Sequence, residues 1–200
     1  DEIKMLQEIG DTYHAKKRKI AIELSKFNGN DVAILDDGFQ DFSIKPNFSI
    51  LCFNSKQLIG NGLVIPSGPL RERLNAVFRA DCVIINGDRT KKTLEFEKKI
   101  TKNLSKKKIH FFYSKYVISN IESLRNKKIT AFAGIGNPSN FFDLLIENKL
   151  DIKRILSFPD HHEYSQSDFE QITSDKSTEI FTTKKDYFRL DDKQKKICSY

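Results

Sequence analysis

Ile129-Thr130-Ala131-Phe132-Ala133-Gly134-Ile135-Gly136-Asn137-Pro138-Ser139-Asn140-Phe141-Phe142 decides the fold class. An apolar run leads through two glycines into a helix start, with Asn137 as the candidate N-cap and Pro138 in the first turn. A run that is apolar without alternation is a strand covered on both faces, as in a mostly parallel sheet. Outward from it, similar short runs occupy residues 32–35, 48–53, 82–85, 152–158 and 179–182, separated by longer helical patterns. That alternation predicts an α/β architecture.

The clearest helix is predicted over residues 91–108, where Phe96, Ile100 and Leu104 stand four apart and lysines cover the rest. Its basic face is either the solvated side of a packed helix or a surface drawn to anionic lipid. Residues 109–116 are rich in aromatic and β-branched side chains, and a polar stretch follows. We therefore expect a boundary near residue 117, dividing the chain into domains 1–117 and 118–200. The second reads as a compact strand, helix, strand, helix, strand unit.

Composition narrows the class. With 38% hydrophobic and 30% charged residues in 200, the chain is expected to fold as a soluble globular protein. No run reaches the roughly 18 apolar residues of a spanning helix, and the acidic start is unlike a signal peptide. Three widely spaced cysteines suggest neither a disulfide framework nor a zinc site, and a reducing compartment fits. Cys52 and Cys82, inside apolar runs, are expected to be small buried hydrophobes. The net charge of +7 favours an anionic partner, whether nucleic acid, phosphate-bearing small molecule or membrane face.

Five stretches carry candidate chemistry. Val32-Ala33-Ile34-Leu35-Asp36-Asp37-Gly38-Phe39-Gln40 is an apolar run ending in two carboxylates. Acids at a strand end suit Mg²⁺, which prefers oxygen ligands, although Asp-Asp-Gly also makes a good turn. Gly60-Asn61-Gly62 and Pro66-Ser67-Gly68-Pro69-Leu70-Arg71-Glu72 form a constrained loop. It delivers either an Arg for phosphate oxygens with a Glu for a metal shell, or an ordinary surface ion pair. The helix start after Gly136 can receive an anion, but it lacks the third glycine of a dinucleotide fingerprint.

Pro159-Asp160-His161-His162-Glu163 lies between a strand and a helix capped by Ser165 or Ser167, where a His beside carboxylates can be a general base, its helper or a metal ligand. Adjacent histidines point in different directions on most backbones. In Thr182-Thr183-Lys184-Lys185-Asp186, Lys185 either meets phosphate, pairs with Asp186, or belongs to a solvated turn.

In order and spacing these stretches resemble the tetraacyldisaccharide 4'-kinase family, whose motifs include D-D-G-[LF]-Q, G-N-G, P-[AS]-G-P-L-R-E, F-A-G-I-G-N-P, a D-H loop and T-T-x-K-D. The resemblance covers nearly the whole chain. It implies an incomplete P-loop-kinase-like core with a mostly parallel sheet, plus a smaller Rossmann-like α/β domain, with the active site between them. It also implies ATP and Mg²⁺ as cofactors and an acylated disaccharide lipid as substrate, phosphorylated on its 4'-hydroxyl in lipid A biosynthesis. Work at the cytoplasmic face of the bacterial inner membrane follows, against an anionic membrane surface and without nucleic acid as partner.

By the same resemblance Asp36 and Asp37 are the Walker B acids and, with Glu72, the metal ligands, while Gln40 and Arg71 line the nucleotide's phosphate site or the substrate site. Asp1-Glu2-Ile3-Lys4-Met5-Leu6 matches the latter part of a family G-D-E-P-x-L element. Asp1 is then the catalytic base, His161 the group that holds and polarises it, and Glu2 and Arg18 substrate contacts.

The sequence also departs from the family pattern. Asp41 stands where the family usually has His, Ile3 replaces a proline, and Lys184 replaces an acid. No G-x-x-x-x-G-K-[ST] loop occurs in the chain, so the resemblance implies that the phosphate cradle and membrane anchor lie upstream and that these residues alone are inactive. The alternative is a basic α/β module that binds nucleic acid or an anionic membrane surface.

Overall fold

The computed structural model describes residues 2–102 and 108–200. Along the chain the helices are α1 (Glu2–Gln7), α2 (Arg18–Phe27), α3 (Lys91–Lys102), α4 (Ile121–Leu124), α5 (Pro138–Glu147), α6 (Gln166–Ile172), α7 (Lys184–Tyr187) and α8 (Asp192–Lys195). The strands are β1 (Ile50–Asn54), β2 (Cys82–Asn86), β3 (His110–Ser114), β4 (Lys128–Ala133), β5 (Asp151–Ser157), β6 (Glu179–Thr182) and β7 (Cys198–Ser199). Among the described residues they form two parallel sheets, ordered β1-β2-β3 and β5-β4-β6-β7. The α/β expectation holds, with parallel sheets throughout.

Two compact units divide the chain, Ala15–Tyr116 in one and Asp1–His14 with Val117–Tyr200 in the other. In the first, β2 is the central strand, and Val83 and Ile85 are fully buried. Phe96 and Ile100 of α3 close over them, with Phe96 edge-to-face on Phe53 at 4.9 Å. Burying two such side chains contributes on the order of 3–6 kcal/mol before conformational entropy is counted. Thr90 and Thr93 start α3 by exchanging hydrogen bonds, backbone N–H to hydroxyl in each direction, at 2.8 and 3.3 Å. Leu104, expected on the same helical face, lies outside the described residues, as does the expected extension through residue 107.

The unit that contains residues 117–200 is built around β4. Its alternate residues go to opposite faces, as the two-residue period of a strand requires. Ile129, Ala131 and Ala133 pack with Phe142, Leu145 and Phe181, while Phe132 packs with Phe169, Ile172, Ile180 and Leu190 on the other side. Burial on both faces explains why this strand reads as apolar without alternation. The edge strand β5 shows the converse, alternating exposed and half-buried along its length.

Two expectations fail. Residues 32–35 belong to neither sheet, and Val32 and Ile34 are 77% and 93% exposed. A β-strand exists through hydrogen bonds to a neighbour, and among the described residues none pairs with this run. Cys52 is exposed rather than buried, because it stands on an uncovered face of β1. Cys82 is buried as expected, and burial raises its thiol pKa. Burial also pushes the Cys198 thiol up to about 12. No helix among the described residues is long and apolar enough to cross a membrane.

Candidate active site

In the Ala15–Tyr116 unit, the two consecutive acids sit on a tight turn that requires a left-handed backbone at Asp37, where φ is 49°. A non-glycine residue there is held by its surroundings. Arg18 does much of the holding: Nη2 donates to the carbonyls of Asp36 and Asp37 at 3.1 and 3.0 Å, and Nη1 to Asp41 Oδ2 at 3.3 Å. Asp41 also accepts from the Ser43 hydroxyl and N–H, and these bonds lower its carboxyl pKa. Arg18 thus ties the Asp36–Asp37 turn to Asp41.

The glycine- and proline-rich loop locks on itself. Asn61 Nδ2 donates to Ser67 O at 2.8 Å, and Leu63 N–H donates back to Asn61 Oδ1 at 3.0 Å. Gly68 is required here, since a Cβ would lie 2.2 Å from Asn61 Oδ1 and 2.4 Å from Leu63 O. The loop delivers Arg71 in an ion pair with Asp37, both exposed. Glu72 is engaged differently: its two oxygens accept from Arg79 at 2.8 and 2.7 Å. These bonds, first among the causes, lower the Glu72 carboxyl pKa, and they raise that of Arg79. The Arg79 guanidinium also lies over the rings of Phe39 and Phe42, at 4.6 and 4.8 Å from their centroids.

A cleft lined by Gln40, Asn54, Gln57, Arg71 and Glu72, among others, opens beside this cluster. Gln40 Oε1 is buried without a hydrogen-bond partner among the described residues, the kind of acceptor that a donor on a ligand would satisfy. Magnesium fits less well as an ion held by the protein. Among the described residues no three His, Cys, Asp or Glu side chains come together as a cage. Asp37 is paired with Arg71 and both Glu72 oxygens with Arg79, so Asp36, Asp37 and Glu72 do not present a joint ligand set in this arrangement.

In the other unit the Asp160-His161 loop is laid directly on the end of β4. Gly134 permits the approach: a Cβ there would meet the Tyr164 hydroxyl at 2.9 Å and Pro159 O at 3.1 Å. His161 has φ 58°, and its N–H donates to Gly134 O at 3.1 Å. Beneath the loop lies Asp186, fully buried. Its Oδ1 accepts from Gly134 N–H (3.1 Å), the Tyr164 hydroxyl (2.9 Å) and Arg189 Nη1 (3.2 Å), and its Oδ2 from the Thr183 hydroxyl (2.7 Å). Burial, and then the Asp186 charge, drive the Tyr164 phenol pKa well upward, so it stays a neutral donor. Arg189 continues to Gly134 O at 2.7 Å and to His161 Nδ1 at 3.3 Å.

The two histidines diverge. His162 stacks on Phe158 at 4.8 Å and bonds Asp168 Oδ2 at 3.0 Å, which ties it to the start of α6. There Ser165 and Asp168 cap each other reciprocally, so of the two candidate caps Ser165 is the one used. The Ser165 hydroxyl, then its N–H, then His162 hold the Asp168 carboxyl down to about 2 from the ordinary 3.8. Because the folded chain keeps this group ionised further into acid than the unfolded chain does, its contribution is present above pH 3.8 and is lost as the pH falls towards 2. Urea midpoints measured from about pH 5 to 2 should therefore fall more steeply for the native protein than for Asp168→Asn. Parallel slopes would refute the assignment.

Asn137 occupies the N-cap position of α5, but its side chain makes no capping bond and instead accepts from the Ser139 hydroxyl at 2.8 Å. Asp1 and the side chain of Glu2 lie outside the described residues.

These constellations can be set beside known proteins. Residues 1–199 match the family model for tetraacyldisaccharide-1-P 4'-kinase. The chain belongs to the tetraacyldisaccharide 4'-kinase family. It is 38% identical to the tetraacyldisaccharide 4'-kinase of Pelagibacter ubique over 100% of its own length and 64% of the relative's. To that of Gluconobacter oxydans it is 32% identical over 95% of the chain and 57% of the relative. It thus spans somewhat over half the length of these curated relatives. The crystal structure of LpxK from Aquifex aeolicus in complex with ATP is similar with a TM-score of 0.59 and 24% identity, over 88% of this chain and 53% of that one, a likeness of fold. The kinase family, not a basic binding module, is what these findings favour.

For a member of this kinase family, sequence reading missed Arg79 and Arg189 altogether and took Asp186 for a partner of Lys185 or part of a solvated turn. A signal for one was present. Asp186 and Arg189 are three residues apart, the spacing that brings side chains together on a helical turn. Arg79 carried no such signal, because the register of the loop and the 3₁₀ turn Leu74–Arg79 is what brings it to Glu72.

Proposed function

We propose that this chain works as part of a tetraacyldisaccharide 4'-kinase, transferring the γ-phosphate of ATP to the 4'-hydroxyl of a tetraacyldisaccharide 1-phosphate in lipid A biosynthesis. The observation that carries the reading is the family match over residues 1–199. Phosphoryl transfer needs chiefly positioning and charge stabilisation, and the two clusters are built for those tasks. Arg71 is exposed and can leave Asp37 for phosphate oxygens, while Gln40 offers its unpartnered Oε1 to a donor. Asp1 takes the proton of the sugar hydroxyl, and His161 holds and polarises it.

Mg²⁺ would neutralise charge on the phosphates and, in this reading, arrives with ATP. Asp36, whose side chain has no hydrogen bond or ion pair among the described residues, is the carboxylate best placed to meet an ion already bound to phosphate and water. The protein works at the cytoplasmic face of the inner membrane, with the lysines of α3 towards anionic headgroups.

The protein expressed from its complete gene should transfer labelled phosphate from ATP to the tetraacylated disaccharide 1-phosphate in detergent with Mg²⁺. Asp1→Ala should abolish transfer, and His161→Ala should lower kcat by about 10²–10⁴-fold. A folded, ATP-binding protein without transfer would send the function elsewhere.

A further inference from the structure

We infer that Arg189 is a positioning residue that fixes the tautomer of His161, keeping the ring proton on Nε2. The catalytic meaning of this rests on the kinase reading above, whereas the tautomer itself does not. A guanidinium has donors and no acceptor, so its Nη2 at 3.3 Å from His161 Nδ1 can only face a bare ring nitrogen. The neutral ring then carries its hydrogen on Nε2. Among the described residues, the Asp160 Oδ2 acceptor lies on the Nε2 side of the ring, 3.9 Å away.

Arg189 cannot easily turn away. Its side chain is 11% exposed, its Nη1 bridges Gly134 O and the fully buried Asp186, and Asp186 is itself held by Gly134 N–H, Tyr164 and Thr183. The backbone that carries the imidazole is fixed as well, since the left-handed His161 is clamped by its N–H bond to the same Gly134 carbonyl, while the ring itself is 63% exposed. The strand end, buried acid and guanidinium thus form one rigid jig. Its outer surface presents an N–H donor, not a lone pair. Such a group can hold and polarise a carboxylate base but cannot itself take the hydroxyl proton, so the jig decides which of the two partners is the base.

The tautomer can be read directly. In the 200-residue protein with ¹⁵N-labelled histidine, the ring couplings of His161, assigned by their loss in His161→Gln, should report a protonated Nε2 and a bare Nδ1. A native ring protonated on Nδ1 would overturn the inference without any variant. In Arg189→Lys a single ammonium can stay with Asp186 and Gly134 but cannot also span to Nδ1, so the ring should become a mixture while the remaining amide spectrum persists. An unchanged single tautomer in a folded Arg189→Lys protein would likewise overturn it.

In the protein from the complete gene, the same substitution should lower kcat roughly 10–100-fold with KM nearly unchanged, the size seen when the partner that orients a functional imidazole is removed. An unchanged kcat in an active kinase would overturn the positioning role. Absence of kinase activity in the native protein would instead count against the proposed function, leaving the spectroscopic result to stand by itself.

Discussion

Replacing Asp186 by alanine should lower the unfolding free energy of the unit that contains residues 117–200 by about 3–5 kcal/mol. The carboxylate is fully buried and accepts from a backbone N–H, a phenol, a hydroxyl and a guanidinium. Removing it takes from Arg189, 11% exposed, the carboxylate 3.2 Å away, and takes from Gly134 N–H and the Tyr164 hydroxyl the oxygen that accepts from both. Each deserted donor costs about 1–3 kcal/mol, so the loss arises as much from what remains as from what is removed. Urea unfolding followed through amide signals of residues 117–200 measures the change for this unit alone. A loss under about 1 kcal/mol would mean that water reaches the site and that the network is not the keystone its geometry indicates.

Phe132→Ala should cost a similar amount, about 3–5 kcal/mol, for a different reason. Its ring is fully buried and meets Tyr164, Phe169 and Phe158 edge-to-face, with centroids 5.1, 6.1 and 6.4 Å away. Truncation leaves a cavity among three rings, two of which also flank His162. Phe112→Ala on β3, 56% exposed, should change stability by no more than about 0.5 kcal/mol. Equal effects at the two positions would show that the rings around Phe132 close the gap.

Much of this was legible in the amino-acid order. The runs that became β2 and β4 are apolar because both faces are covered, and Glu179–Thr182 forms β6 at the predicted bounds. Residues 32–35 have the same composition and form no strand, because apolar character reports fitness for a sheet and says nothing about whether a neighbouring strand is there to pair. The exposed Cys52 follows the same logic, since an apolar run is covered only if something packs on it. At the candidate site, the glycines, the acids, Arg18 and Arg71 were legible as types, but not Arg79 and Arg189, nor the groups that each arginine holds. A guanidinium reaches over several ångströms to partners that only tertiary structure selects, as Arg18 does from α2 to the Asp36–Asp37 turn.

The division of the chain bears on how it is made. Glu8 pairs with Lys184 at 2.8 Å, joining the start of one unit to α7 of the same unit across the whole of the other. At the 5–20 residues per second of ribosomal synthesis, roughly 10–35 s separate the two partners. During that interval the Ala15–Tyr116 unit has all its residues and can fold, while α1 has nothing to dock on. Vectorial synthesis therefore closes the interrupted unit after the inserted one, around a segment made before it.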